Sequence, residues 1–203
     1  MLNRYARAAI TRLLGPVAAG LLRLGVSPDV VTIVGTLGVV AAALSLYPTG
    51  HLLAGTLVIA GFAFSDTLDG IMARASGRSG PWGAYLDSTL DRLGDAAIFS
   101  GLVLWFTGGG DHRTTAVLAL ACLVLGGVVS YAKARAEGLG MTADVGIAER
   151  AERLVAVLLA TGLVGAGLPR VLLTVVLGLL AVASAVTVVQ RMLAVRRQAV
   201  ARS

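Results

Sequence analysis

Four aspartates lie in stretches of this chain that are otherwise largely apolar. Asp66 and Asp69 are three residues apart, and Asp87 and Asp91 are four apart. On a helix either spacing puts both carboxylates of a pair on one face. Two antiparallel helices joined by a tight loop then bring all four together. An ionisable side chain inside a membrane segment costs about 2.5–3.5 kcal/mol on insertion scales and marks function by default. Four carboxylates that close cannot all remain ionised in a low-dielectric setting without cations. The all-oxygen donor set suits Mg2+ or Mn2+, and His51 and His112 stand in other loops, so no zinc-type cluster forms. Two such cations clamp the attacking and leaving oxygens of a phosphoryl-type transfer. As plain interfacial ion pairs with Arg74, Arg78 and Arg92, the aspartates would keep their membrane cost without a use. Asp95, one turn beyond Asp91, is either a partner behind the metal ligands or an acid that pairs helices.

The elements that must position these residues follow from hydropathy. The chain has 203 residues, of which 57% are hydrophobic and 14% charged. Its mean hydropathy is +0.85. Soluble domains carry about a quarter charged residues, so the composition is that of a lipid-embedded protein. Six apolar segments, at about 30–48, 52–73, 84–106, 114–134, 152–168 and 171–192, are each close to the ~20 residues that span hydrocarbon. Turn formers separate them, among them Tyr47-Pro48-Thr49-Gly50 and the Gly77–Gly83 stretch with Pro81. The expected fold is an all-α integral membrane protein. A single domain spans 1–203: an amphipathic interfacial helix over 2–25, where Arg4, Arg7, Arg12 and Arg23 alternate with Leu and Ile, precedes a six-helix bundle over 28–195.

Arg and Lys crowd the amino end, the second and fourth loops and the carboxyl end. The opposite loops carry only Arg113 and Arg170. Positive residues stay on the cytoplasmic side, so both termini and the Asp cluster are expected to be cytoplasmic, in a multi-pass protein of the cell membrane. The net charge of +6 forms no continuous basic stripe, which argues against nucleic acid and for anionic lipid and substrate. The lone Cys122 allows no disulfide within the chain and reads as a small core residue.

The string Asp66-Thr-Leu-Asp69-Gly70-Ile-Met-Ala73-Arg74, then eight residues, then Gly83-Ala-Tyr-Leu-Asp87-Ser-Thr-Leu-Asp91 resembles the signature of the CDP-alcohol phosphotransferases. Every Asp, Gly, Ala and Arg of that signature matches, as does the spacing between its halves. The resemblance implies that Asp66, Asp69, Asp87 and Asp91 hold two metals per active site on the pyrophosphate of CDP-diacylglycerol. It makes Asp91 the general base for the acceptor hydroxyl. Gly70, Ala73, Arg74 and Gly83 would cradle the cytidine and its phosphate, with Ser79 in the connecting loop. Taken alone, such glycines are more often packing residues in membrane helices. Ser27-Pro28-Asp29-Val30-Val31-Thr32 resembles a stretch of the same family that holds nucleotide, through Asp29 and Thr32. It reads equally as a helix start, with Ser before Pro in the first turn. The family also implies a homodimer.

The acceptor is read from the second half. Lys133 and Arg135 end the fourth segment, Arg153 opens the fifth and Arg191 closes the sixth, all on the side expected for the Asp cluster. A Lys point charge and Arg forks are the usual ligands of phosphate. Arg196 and Arg197 trail beyond the last span and read as snorkelling residues. Lys-Ala-Arg-Ala-Glu, Glu149-Arg-Ala-Glu-Arg153-Leu and Gln190-Arg191 resemble the actinobacterial phosphatidylinositol phosphate synthases of that family. This implies 1D-myo-inositol 3-phosphate as acceptor. A glycerol 3-phosphate acceptor shares the metal motif. A cation transporter would also place acids in a membrane, but nearer the midplane and with related halves, and no internal repeat is present.

Overall fold

The start of the chain enters its first span through a proline. Pro28 opens a helix whose preceding Ser27 hydroxyl accepts a hydrogen bond from the Val30 amide at 3.3 Å, the arrangement expected of a cap followed by proline in the first turn. The computed structural model describes residues 14–77, 80–147 and 149–202, with the Asp66 side chain outside that description. Eight helices are found there: α1 Leu14–Arg23, α2 Pro28–Leu46, α3 Leu52–Ala63, α4 Ser65–Ser76, α5 Pro81–Thr107, α6 Arg113–Glu137, α7 Arg150–Gly165 and α8 Val171–Val200. Among the described residues no strand occurs. Arg4, Arg7, Arg12 and half of the expected interfacial helix fall outside the described residues, and α1 lies within its remaining half.

Each of the six expected segments falls on helix. Four stretches are long and apolar enough to cross a membrane: Pro28–Leu46, Leu52–Ser76, Arg113–Glu137 and Val171–Val200. The second runs through α3 and α4, which differ in character. α3 is 12 residues without a charge, whereas α4 carries Asp66, Asp69 and Arg74. α5, at 27 residues, has ample length but holds Asp87, Asp91, Arg92 and Asp95. α7 has 16 residues, or about 24 Å of rise, just short of hydrocarbon thickness.

The chain divides into two units. The first comprises the chain up to Ala42 together with Val58–Gly94. Ala18 of α1 packs there on Ile71 and Met72 of α4, with Leu21, Leu22, Val31 and Leu68 around them. α2 passes close to the α3–α4 junction at two glycines. A methyl group on Gly35 would overlap the Ser65 hydroxyl, and one on Gly38 would run into the Phe62 ring. α4 ends at Gly77, whose φ of 66° is left-handed and whose amide donates to the Ala73 carbonyl.

The second unit comprises Ala43–Leu57 with Asp95–Ser203. α8 packs along α6 and α7 there. Leu173 and Leu177 are fully buried, Cys122 is buried and its thiol donates to the Leu177 carbonyl at 3.2 Å, and the Thr115 and Thr174 hydroxyls bond at 2.6 Å. Cys122 is therefore a packed core residue, as its apolar surroundings suggested.

Because Gly35 sets the approach of α2 to the start of α4, Gly35→Val forces the two apart. Overpacking of this kind costs about 1–3 kcal/mol. The expected result is a lower thermal-unfolding midpoint in detergent, and an unchanged midpoint would contradict the close approach.

Candidate functional site

Three helix segments of the first unit meet around one cavity of about 280 Å3. The start of α2 contributes Pro28, Asp29 and Thr32, one helical turn apart. The second half of α4 contributes Asp69, Gly70, Ala73 and Arg74, again at one-turn spacing. The opening of α5 contributes Gly80, Gly83, Ala84 and Asp87. Both α2 and α5 begin at this cavity, so their positive helix ends favour an anion within it.

Asp69 is buried, at 8% exposure, and the Thr32 hydroxyl lies 2.5 Å from its Oδ2. The same hydroxyl is 3.1 Å from the Pro28 carbonyl. It has one proton, and the shorter, charge-assisted bond to the carboxylate takes it. Thr32 therefore fixes one oxygen of Asp69 and turns the carboxyl relative to the cavity. Asp29 is held similarly, since the Trp82 indole N–H donates to its Oδ2 at 3.0 Å. Trp82 and Tyr85 stack with ring centroids 6.0 Å apart and both are exposed, as aromatics at a membrane surface are. A smaller hollow of about 230 Å3 lies against Ser27, Asp29, Pro81 and Trp82.

The glycines divide by function. At Gly70 an added methyl would touch the Arg74 guanidinium at 3.4 Å, so the arginine folds back over this position. At Gly83 the methyl would meet nothing within 4 Å. Neither packing nor backbone conformation asks for glycine there. The missing side chain leaves the cavity wall open at this position.

Thus Asp69, Asp87, Asp29, Thr32, Gly70, Ala73, Arg74 and Gly83 are brought to one cavity. Asp91 stands one turn beyond Asp87 on α5, with Oδ2 3.7 Å from the Arg92 guanidinium, and is not part of the described lining. Asp66 is on the first turn of α4, one turn before Asp69, and its side chain lies outside the described residues, as does Ser79. Among the described residues no group of three or more His, Cys, Asp or Glu stands together as a metal site. The donors present nevertheless suit a hard divalent cation. They are carboxylates on facing helices beside open space, with no softer ligand in the described lining.

Asp95 points elsewhere: the Arg150 Nε–H donates to its Oδ1 at 3.2 Å, which ties α5 to the start of α7. Of the two readings of Asp95, the structure supports a helix-pairing acid. Gly80 and Ala84 in the cavity wall, and Trp82 behind Asp29, escaped the sequence analysis. Small residues a turn apart around Gly83 were the available signal for the first two, and the exposed indole had none.

The expected acceptor cations all lie in the second unit, in different settings. Arg153 is buried beside Gly126, the helix surface that faces it having no side chain to obstruct it. Arg191 is buried as well and donates to the carbonyls of Val129 at 2.6 Å and Val145 at 3.0 Å. Lys133 is half-exposed and pairs with Asp144 at 2.5 Å and Glu137 at 4.0 Å. This ammonium holds the Asp144 carboxyl below its ordinary value. Arg135 is exposed at the end of α6. The segment carrying Asp144 is fastened by the end of α8. Gln198 donates to the Thr142 carbonyl at 2.6 Å and accepts from its amide at 3.0 Å, while Arg202 donates to the Gly140 carbonyl at 2.6 Å.

Comparison with known proteins matches this arrangement to a family. Residues 25–195 fit the model of the CDP-alcohol phosphatidyltransferases. The chain is 53% identical to the phosphatidylinositol phosphate synthase of Streptomyces avermitilis, covering 98% of this chain and 84% of that one. It is 50% identical to the enzyme of that name from Cutibacterium acnes, covering 97% and 98%. Among solved structures, it resembles Mycobacterium tuberculosis phosphatidylinositol phosphate synthase with CDP-DAG bound, at 46% identity and a TM-score of 0.87 over 91% of this chain and 94% of that one. The same Mycobacterium tuberculosis protein in complex with manganese and citrate gives a TM-score of 0.85 at 46% identity, over 90% and 88%. With Asp69 and Asp87 of its aspartate motif at one cavity and the family model spanning most of its length, the chain belongs to the CDP-alcohol phosphatidyltransferase family of multi-pass membrane enzymes.

Proposed function

We propose that the chain transfers the phosphatidyl group of CDP-diacylglycerol to 1D-myo-inositol 3-phosphate and releases CMP, the reaction of a phosphatidylinositol phosphate synthase. The observation that carries this reading is the cavity of the first unit. It joins two helix starts, two aspartates of the motif and an unfilled glycine wall, in a chain 46–53% identical to enzymes of that name.

In this reading Asp66, Asp69, Asp87 and Asp91 would hold two divalent cations, Mg2+ or Mn2+, whose chemistry is to neutralise the pyrophosphate and polarise its lipid-side phosphorus. Asp29, Thr32, Gly70, Ala73, Arg74, Ser79 and Gly83 form the CDP-lipid site. Thr32 serves by orienting Asp69, and Arg74 by lying over Gly70 at the cavity edge. Asp91 takes the proton from the acceptor hydroxyl. That oxygen bonds to the phosphorus bearing diacylglycerol, the bond from this phosphorus to the CMP oxygen breaks, and CMP departs with the electron pair.

Lys133, Arg153 and Arg191 bind the acceptor's phosphate, with Arg135 adding positive potential from the end of α6. Arg153 and Arg191 are both buried, and the Val129 and Val145 carbonyls hold the Arg191 guanidinium in place, so these cations are fixed before an acceptor arrives. Lys133 already binds one anion, the Asp144 carboxylate, in the place a phosphate oxygen would take. The chain acts as a homodimer with six spans per protomer. α5 and α7 complete the set, and the short α7 is accommodated by snorkelling or local thinning. Both termini and the site face the cytoplasm.

Purified protein supplied with CDP-diacylglycerol should release CMP only when Mg2+ or Mn2+ is present, and chelation should abolish the release. Asp91→Asn and Asp69→Asn should each lower turnover by at least ~100-fold, the range for loss of a general base or a charge-stabilising group. Near-normal release by either variant would remove that residue from the centre. With inositol 3-phosphate, glycerol 3-phosphate and free inositol compared side by side, only the first should support turnover. Lys133→Gln should raise the KM for inositol phosphate ~10-fold or more, as a charged hydrogen bond of about 1.5–3 kcal/mol implies, and leave the KM for CDP-diacylglycerol unchanged. Equal changes in both constants would contradict a role confined to the acceptor.

A further inference from the structure

A second cavity, of about 430 Å3, lies in the second unit between the ends of α6 and α8. On α6 its wall is Val128, Tyr131, Ala132, Arg135 and Ala136, the positions of one helical face, with Leu139 of the turn that follows. Across it stand Val188, Met192 and Val195 of α8. Ala132 and Ala136 fall one turn apart where larger side chains would close the gap, so the hollow follows from two small residues on α6. The lining is almost wholly apolar except at the helix ends, where Arg135 and Arg196 stand exposed. Arg191 also reaches this wall, but it spends donors on the Val129 and Val145 carbonyls. Tyr131, near the end of α6, is 68% exposed.

An apolar slot between membrane helices that ends in two exposed guanidinium groups matches one chemical class, an amphiphile with an acyl chain and an anionic head. We propose that this cavity is a binding site for an anionic phospholipid, the acyl chain lying against Ala132, Ala136 and Val195 and the phosphate between Arg135 and Arg196. Basic pockets between transmembrane helices hold lipid headgroups in this way. A zwitterionic lipid fits the slot equally but brings its own cation to the two arginines, so the site selects by charge. It rests on the membrane reading of α6 and α8 and shares Arg135 with the proposed acceptor site, so the test is placed at Arg196, which that site does not use.

The test is native mass spectrometry of the full-length protein released from bilayers of phosphatidylglycerol and phosphatidylcholine with identical acyl chains. Wild-type protein should retain phosphatidylglycerol in preference to phosphatidylcholine. Arg196→Gln should lower the phosphatidylglycerol-bound fraction about fivefold, the effect of one arginine near an anionic surface. Arg197→Gln, which alters the adjacent arginine outside the cavity, should leave that fraction as it was. Ala132→Leu should reduce retention of both lipids by filling the slot. An unchanged thermal midpoint in each variant secures the comparison. Equal retention of the two lipids by wild type, an equal fall in both arginine variants, or a change of oligomer mass without loss of lipid in Arg196→Gln would each overturn the proposal, the last by assigning the groove to a second copy of the chain.

Discussion

A carboxylate in a chain this apolar is tolerated only where donors and cations reach it, and the placement of Asp69 shows how that constraint is met. The carboxylate is nearly buried, yet one of its oxygens is bound by the Thr32 hydroxyl and its helix opens onto a polar cavity. Around that requirement the first unit is organised. Gly35 and Gly38 let α2 approach the α3–α4 junction closely enough for Thr32 to reach Asp69. Two helices start at the cavity so that their amide ends offset negative charge. The Ala18, Ile71 and Met72 cluster anchors the back of α4.

Charge is handled differently in the second unit. There the buried groups are cations, and backbone carbonyls take the place that Thr32 has for Asp69. Arg191 bridges the Val129 and Val145 carbonyls, and Arg153 fits against Gly126. Such contacts hold the guanidinium groups in place, which lowers the entropic cost of any further contact they make. The segment between α6 and α7 gains its order from the far end of the chain, through Gln198 and Arg202. The long end of α8 thereby has a structural use of its own, fastening the segment that carries Asp144.

Much of this was legible in the sequence because the signals were expensive ones. Aspartates at helical spacing in apolar stretches announced the centre, and Asp69 and Asp87 do share a cavity with the small residues and with Asp29 and Thr32. The helix-start reading and the nucleotide reading of Ser27–Thr32 turn out to be compatible, since Ser27 caps α2 while Thr32 turns toward Asp69. The six apolar segments all fall on helix, four of them in stretches long and apolar enough to span among the described residues. The charges in the second and third segments mark where α4 departs from the apolar α3 and where α5 carries its acids, a contrast that a hydropathy window averages away. Long-range partners were beyond reach. Arg150 and Asp95 are 55 residues apart, and Trp82 and Asp29 are 53 apart, with no local pattern to join them. The ion pair of Lys133 with Asp144 was hidden for the same reason, since a charge read alone shows its sign and not its partner.

The central claim is that an acceptor hydroxyl displaces CMP at the phosphorus bearing diacylglycerol. It can be tested by placing oxygen-18 in the attacking hydroxyl of inositol 3-phosphate and following the label by mass spectrometry. The account predicts full retention of the label in the phosphodiester of the lipid product and none in CMP. Label recovered in CMP, or a lipid product without it, would contradict attack at that phosphorus and with it the mechanism assigned to the aspartate centre.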